Sequence, residues 1–417
     1  MQRLVLPFVG GNHPFARADL ESIEVAGVLM SAEDEKKKKE KFLGIFKTYL
    51  PLWIVSIDGS NGIMVEAMIL NSEKFRMKRF DKTVELDPQR DLASGSFSDF
   101  TSKLQHYESK INSYQREEKI ELNGYINPTI AGEIRILFEK LEQQNIPDLG
   151  IMSQRLSQES AELMCTPIIS VFHVQVNKIL HDLYQIPIIV NTQLLQLYDE
   201  FRNITSEYVN KMSELSQKVD SLEETDSFKV QHRKASNIIT EFTSFRDTKD
   251  RNIKKLFSQW DEIRSLNEKI QQGYLNLLDS VFQTKNEILD LSTPFSHTSL
   301  RGQAVSVLLP IYVAIFQEKK SRITYFPPLI LDFAHKKELT RPKGFEFLKR
   351  EFEHKYSSNL PPGISEIEDQ NLLLNPHTQQ NFNDGVHKLR ETKIIGSNTY
   401  VRIMDSYNEF FRKAHNS

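Results

Sequence analysis

From Ile253 to Leu291 the chain places a mostly apolar residue every three or four positions for six heptads. One series is Ile253, Trp260, Asn267, Tyr274, Val281 and Ile288. The other is Leu256, Ile263, Ile270, Leu277, Thr284 and Leu291. Two series at this spacing stay on one helix face only if the helix supercoils around a partner, so the run predicts a coiled-coil seam. No other feature of the 417-residue chain constrains its fold as strongly.

The residues before the seam predict where its partner lies. Within 188–224, Phe201, Ile204, Tyr208, Met212, Leu215, Val219 and Leu222 also step by three or four. Glu223 to Ser227 is a polar break, and Asp226 or Ser227 suits an N-cap. A second helix then runs from about 228 to 292 and stops before Pro294, roughly 95 Å at 1.5 Å per residue. Two long helices joined by so short a break fold back as a helical hairpin. Asn267 is polar for a core position, and Trp260 and Tyr274 are bulky for a tight two-stranded seam. Trp260, Asn267 and Tyr274 are therefore the candidate contacts to a partner helix, from this chain or another.

Mixed α/β segments bracket the helices. Residues 1–95 carry a β-hairpin over 51–70, in which Asp58-Gly59-Ser60-Asn61-Gly62 joins two apolar runs. Residues 96–293 form the helical insertion, with expected helices near 97–116, 128–141, 157–184 and the two limbs at 188–224 and 228–292. Residues 294–417 carry a second hairpin over 309–327 and the C-terminal helices. The hairpins resemble each other. Leu50-Pro51-Leu52-Trp53-Ile54-Val55-Ser56-Ile57 aligns with Leu309-Pro310-Ile311-Tyr312-Val313-Ala314-Ile315-Phe316, each with an aromatic two residues after the proline. Both prolines are expected at the start of a strand, where no ladder bond is lost. The fold class read from this pattern is α+β and mostly helical. A long antiparallel helical arm is inserted between two similar hairpin-containing segments that form one head domain. The layout resembles that of chromosome-condensing ATPases, whose head halves flank an antiparallel coiled coil. The chain has no G-x-x-x-x-G-K-[ST], however, so no phosphate cradle of that kind is expected.

Motifs for chemistry are sparse. Cys165 is the only cysteine, which excludes an intrachain disulfide and suits a reducing, cytoplasmic setting. It lies among apolar residues beside Thr166-Pro167 and reads as structural. His173, Asn177 and His181 share a face of one expected helix, but eight residues span about 12 Å, too far for both imidazoles to hold one metal. Gly10-Gly11-Asn12-His13-Pro14 is a turn without the lysine of a phosphate loop. Asn203-Ile204-Thr205 matches a glycosylation acceptor but falls in a helical seam. Lys36 to Lys39 are offset by Glu33, Asp34, Glu35 and Glu40. The Ser296-to-Arg301 loop and the basic stretch of His335, Lys336, Lys337, Arg341 and Lys343 read as solvated surface. The net charge of −3 argues against a broad nucleic-acid footprint. The longest apolar run, Val305 to Phe316, is too short to span a bilayer. The resulting expectation is a non-enzymatic scaffold without cofactor or metal, binding a protein partner or itself through the helical arm. Two alternatives stand beside it. One is an enzyme or small-ligand module with a pocket between the Leu-Pro hairpins. The other is attachment to a membrane surface or nucleic acid through the basic segments.

Overall fold

The computed structural model describes residues 2–415 apart from 14, 82–83, 95–96, 147–149, 223–226, 296–303, 333–337, 357–358 and 362–370. The polar break at 223–226, the loop at 296–301 and His335, Lys336 and Lys337 thus lie outside the described residues.

In chain order the first elements are β1 (Gln2–Val5), β2 (Val9–Gly10), α1 (Arg17–Glu35), β3 (Lys41–Ser56), β4 (Asn61–Glu66), β5 (Ser72–Phe80), α2 (Pro88–Asp91), α3 (Phe97–Ser113), β6 (Gln115–Asn123), α4 (Pro128–Leu137) and β7 (Glu142–Asn145). Then come α5 (Gln158–Phe172), α6 (Val176–Asp220), α7 (Phe228–Asp290), β8 (Thr293–Pro294), β9 (Ala304–Gln317), β10 (Ser321–Phe326), β11 (Leu329–Asp332), β12 (Glu338–Thr340), α8 (Lys343–Lys355), α9 (Pro376–Glu391) and α10 (Ser397–His415). The protein is α+β and mostly helical. It folds as two compact units. One comprises Met1–Met77, Lys119–Phe172 and Lys285–Ser417; the other comprises Lys78–Glu118 and His173–Thr284. This division departs from boundaries at 95 and 293, because α4, β7 and α5 belong to the first unit.

The first unit is built on one sheet in which the two Leu-Pro hairpins pair directly. β3 and β9 lie antiparallel at its centre, with Leu50 opposite Leu309, Pro51 opposite Leu308 and Tyr49 opposite Pro310. This register relates the hairpins β3–β4 and β9–β10 by a local two-fold through the Leu50–Leu309 pair. The outer partners obey the same relation. β1 runs parallel to β9, and Leu6 N–H donates to Leu308 O at 3.0 Å. On the other side Ile151 bridges Tyr49 in parallel, and Met152 N–H donates to Tyr49 O at 3.1 Å.

Both prolines sit inside long strands, ten residues into β3 and six into β9, not at strand starts. The reason is where their missing N–H would point. Pro51 O accepts from Ala67 N–H, on the side away from β9. Backbone N–H and C=O of one residue leave a strand on the same side, so the absent donor falls outside the central ladder. There the outer neighbour of β3 changes from the Ile151 segment to β4. Pro310 shares the outward direction of Leu308 and falls where the neighbour of β9 changes from β1 to β10. Each proline occupies a gap that needs no donor.

Helices cover both faces of the sheet. Leu50, Leu52, Ile54, Leu309, Ile311 and Val313 pack on Ile130, Ile134 and Leu137 of α4 and on Phe345, Leu348 and Phe352 of α8. Asn127 caps α4 by accepting from Ile130 N–H, with Pro128 in its first turn. On the opposite face, Ile45, Tyr312, Ala314 and Phe316 pack on Ile23, Val28 and Leu29 of α1 and on the C-terminal helices. Gly385 of α9 lies so close to α1 that a Cβ there would stand 2.0 Å from Ser22 O.

In the second unit α7 packs on α3. Tyr107 and Tyr274 share a hydroxyl hydrogen bond of 2.6 Å, and Gln105 donates to Glu262 at 3.1 Å. Farther along, α6 and α7 meet antiparallel. Phe201 faces Phe257, Tyr208 faces Phe245, and Lys211 and Lys218 both donate to Glu241. The helix expected to end near Pro187 does not end there: α6 runs through it, and the break falls at His173-Val174-Gln175. Burial of Ile186 and Val190 on either side of Pro187 offsets its one lost backbone bond.

Candidate functional site

The first unit contains a cleft of about 390 Å³ between α1 and the central strands, lined by Glu21, Glu24, Lys47, Tyr49 and Tyr312, with Arg17 and Glu142 at its edge. Lys47 and Tyr312 are register partners, so both side chains stand on the α1 face. One oxygen of Glu24 accepts from Tyr312 Oη at 2.5 Å and from Lys47 Nζ at 2.5 Å. Burial opposes the Lys47 ammonium, yet Glu24 and Tyr49 beside it hold its pKa above the ordinary value. Burial raises Tyr49, and it raises the fully buried Tyr312 well above a normal phenol. At neutral pH Lys47 is therefore a cation and both phenols are neutral. That is a binding or packing arrangement: the amine keeps its proton and is no nucleophile.

A second buried acid closes the turn after β4. Glu66 is 1% exposed and accepts from the backbone N–H groups of Met68 (2.8 Å) and Leu70. Burial pushes its pKa up to about 7 against these donors and the nearby charge of Lys355. Cys165 is fully buried, and burial raises its thiol to about 12, so it is protonated at neutral pH.

In the second unit the six-heptad seam divides by burial. Ile263, Ile270, Tyr274, Leu277 and Val281 are buried, whereas Ile253, Leu256, Trp260 and Asn267 are half-buried. Tyr274 faces Tyr107 and is closed to any other chain. Trp260 lines an apolar groove of about 390 Å³ with Leu197, Tyr198, Phe201, Leu256 and Phe257. Among the described residues Asn267 Oδ1, which is buried, has no hydrogen-bond partner. A separate cavity of about 360 Å³ is lined by Tyr114, His173, Lys178 and Asp182. Asp182 is buried and accepts from Lys178 at 2.9 Å. His173 lies at the break before α6, so it shares no helix with His181. Among the described residues no group of three or more His, Cys, Asp and Glu is placed to hold a metal.

The outer face of α6 carries a feature that following the Phe201–Tyr208 face alone leaves unseen. Ile188, Leu195, Arg202, Val209 and Ser216 repeat every seven residues, as do Tyr184, Asn191, Tyr198, Thr205, Met212 and Val219. All are exposed, although Leu197 and Leu215 between them are buried toward the rest of the unit. Seven large apolar side chains on this stripe are 48–71% exposed, from Tyr184 to Val219. A helix with apolar heptads on two adjacent faces, with Tyr198 at the edge of the α6–α7 groove, has one seam left over.

Comparison with protein-family models, curated proteins and solved structures gives no match to this chain. Among the described residues no single helix is long and apolar enough to cross a membrane; the bent pair of α5 and α6 passes that test by length and composition. Of the described basic residues of the C-terminal stretch, Lys343 is exposed and Arg341 is engaged. Arg341 lies over the Phe326 ring, 3.6 Å from Glu35 and 3.8 Å from Glu346. Lys36 is paired with Glu33. Asn203-Ile204-Thr205 lies inside α6, where Thr205 Oγ1 donates to Phe201 O.

Proposed function

We propose that this protein is a non-enzymatic scaffold that acts by docking a helix of a protein partner along the outer face of α6. The observation that carries this reading is the exposed heptad stripe from Tyr184 to Val219. Scattered surface apolar residues need no explanation, but a contiguous stripe at coiled-coil spacing is an interaction surface. The buried half of the α7 seam and the Tyr107–Tyr274 bond supply a firm backing. The test is a photo-reactive residue at Tyr198 in the native cell, with one at Glu200 on the polar side as control. The expected result is discrete protein adducts from position 198 and not from 200. Equal labelling at both positions refutes the reading.

A second reading rests on the first-unit cleft, which has polar groups from both Leu-Pro hairpins and α1 converging on it. Its lining carries Glu21, Glu24 and Glu142 against Arg17 and Lys47, one negative charge in surplus, which suits a small molecule with a cationic group. Saturable stabilisation of the chain by di- or polyamines, abolished by Glu21→Gln, supports it. Absence of any shift removes it.

A further inference from the structure

We infer that the partner helix is α6 of a second copy of this chain, lying antiparallel across a two-fold axis between Asn203 and Ile204. This rests on the reading of the α6 outer face as a docking surface and goes beyond it by naming the occupant. The order of residues along the stripe makes it complementary to itself. In an antiparallel pair each first-series position meets a second-series position of the partner, and the two numbers have a constant sum. At a sum of 407, Ile188 meets Val219, Leu195 meets Met212, and Tyr198 meets Val209. The polar positions also meet one another: Asn191 meets Ser216, and Arg202 meets Thr205. Every layer from 188 to 219 is then apolar on apolar or polar on polar, and all ten of these side chains are exposed in the single chain.

Other registers lose this match. Moving one copy by a heptad sets Leu195 opposite Thr205 and Tyr198 opposite Arg202. A parallel pair sets Arg202 against its own copy, two like charges inside the seam. The antiparallel arrangement keeps them apart and gives each guanidinium a threonine hydroxyl. The flanking positions agree. Asp199 falls beside Ser206, Thr192 beside Ser213 and Gln185 beside Asp220, so no two carboxylates meet. A self-complementary patch of this kind closes as a dimer and leaves no open end for a filament.

The experiment uses the full chain. Sedimentation and light scattering over a concentration series are expected to give a reversible dimer. Spin labels at Ser216→Cys are expected about 38 Å apart, since 25 residues along two antiparallel helices rise about 1.5 Å each. Labels at Arg202→Cys, close to the axis, are expected at about 10 Å and broaden the spectrum. The buried Cys165 stays unlabelled. Leu195→Glu with Met212→Glu places carboxylates opposite each other and is expected to give a monomer with an unchanged circular dichroism spectrum. Leu195→Lys with Met212→Glu is expected to restore the dimer, because the new charges oppose only in this register.

A monomer at every concentration, or short distances at both label sites, overturns the inference. The photo-reactive residue at Tyr198 separates this failure from that of the docking reading. An adduct of twice the chain mass supports self-association. Adducts with a different protein alone overturn self-association and leave the docking face standing. No adduct removes both.

Discussion

Replacing Glu66 by glutamine tests whether burial or backbone donation rules the turn after β4. Glu66 is a buried acid whose position makes the first unit sensitive to pH near neutrality. An ordinary glutamate value of 4.5 becomes about 7 in the folded chain. At 1.36 kcal/mol per pH unit this displacement corresponds to about 3 kcal/mol, an order-of-magnitude figure. The folded state binds this proton more tightly than the unfolded chain. The stabilisation is therefore complete below about pH 4.5 and lost as pH rises through about 7. Glu66→Gln removes the titration while keeping the shape. It also turns one amide hydrogen toward the N–H of Met68 or Leu70, a constant cost of about 1–3 kcal/mol.

The assay is urea unfolding at pH 5, 6, 7 and 8, followed by Trp53 emission in a Trp260→Phe background. The chain has only two tryptophans, and Trp53 lies in the first unit with its indole N–H donated to Leu156 O. Taking the difference between parent and variant at each pH cancels the other carboxylates, including Glu40, which Arg322 holds near 2. The parent is expected to lose about 2–3 kcal/mol relative to the variant between pH 5 and 8. A flat difference, or a parent that gains with pH, refutes the reasoning. It means that the N–H groups of Met68 and Leu70, with Lys355, outweigh burial.

Three further outcomes are expected. Tyr274→Phe should lower the stability of the second unit by about 1–3 kcal/mol, because it strands the buried Tyr107 hydroxyl, and adding Tyr107→Phe should cost less than a second equal loss. Urea midpoints read from Trp260 emission decide this; strict additivity counts against it. Asn267→Leu should raise the same midpoint by about 1 kcal/mol, since its buried Oδ1 has no partner among the described residues; a lower midpoint assigns Asn267 to holding the register of α7. Gly385→Ala should destabilise the first unit by about 1–3 kcal/mol because its Cβ has no room against Ser22 O, and an unchanged thermal midpoint shows that α9 shifts freely on α1.

The parts of this fold legible in the sequence are those set by neighbours a few residues apart. The long helix α7, the two Leu-Pro hairpins and α4 behind Pro128 all follow from local spacing. What escaped was decided at long range. The strand expected from Pro51 begins at Lys41, because β9 pairs with it along fourteen residues. The prolines read as strand starts, since nothing nearby reveals that their outer neighbours change at that point. Pro187 reads as a helix end because the burial of Ile186 and Val190 is invisible locally. Of the three candidate seam residues only Tyr274 is buried, and their separate placements depend on α3 for Tyr274 and on α6 for Trp260. The outer stripe of α6 was readable all along as a heptad. It was masked because Met212 and Val219 also fit, loosely, the inner face that carries Leu215.

The direct pairing of β3 with β9 also sets the order of events when the chain is made. Leu50 and Leu309 are 259 residues apart (309 − 50). At roughly 5–20 residues per second, β3 waits roughly 13 to 52 s for its partner strand to be synthesised. During that interval a long apolar strand with an unpaired edge is exposed to every other nascent copy. Both helical limbs are complete before β9 emerges, and their contacts close over shorter loops. The second unit therefore acts as a spacer in time, and the first unit can close only after β9 has been made.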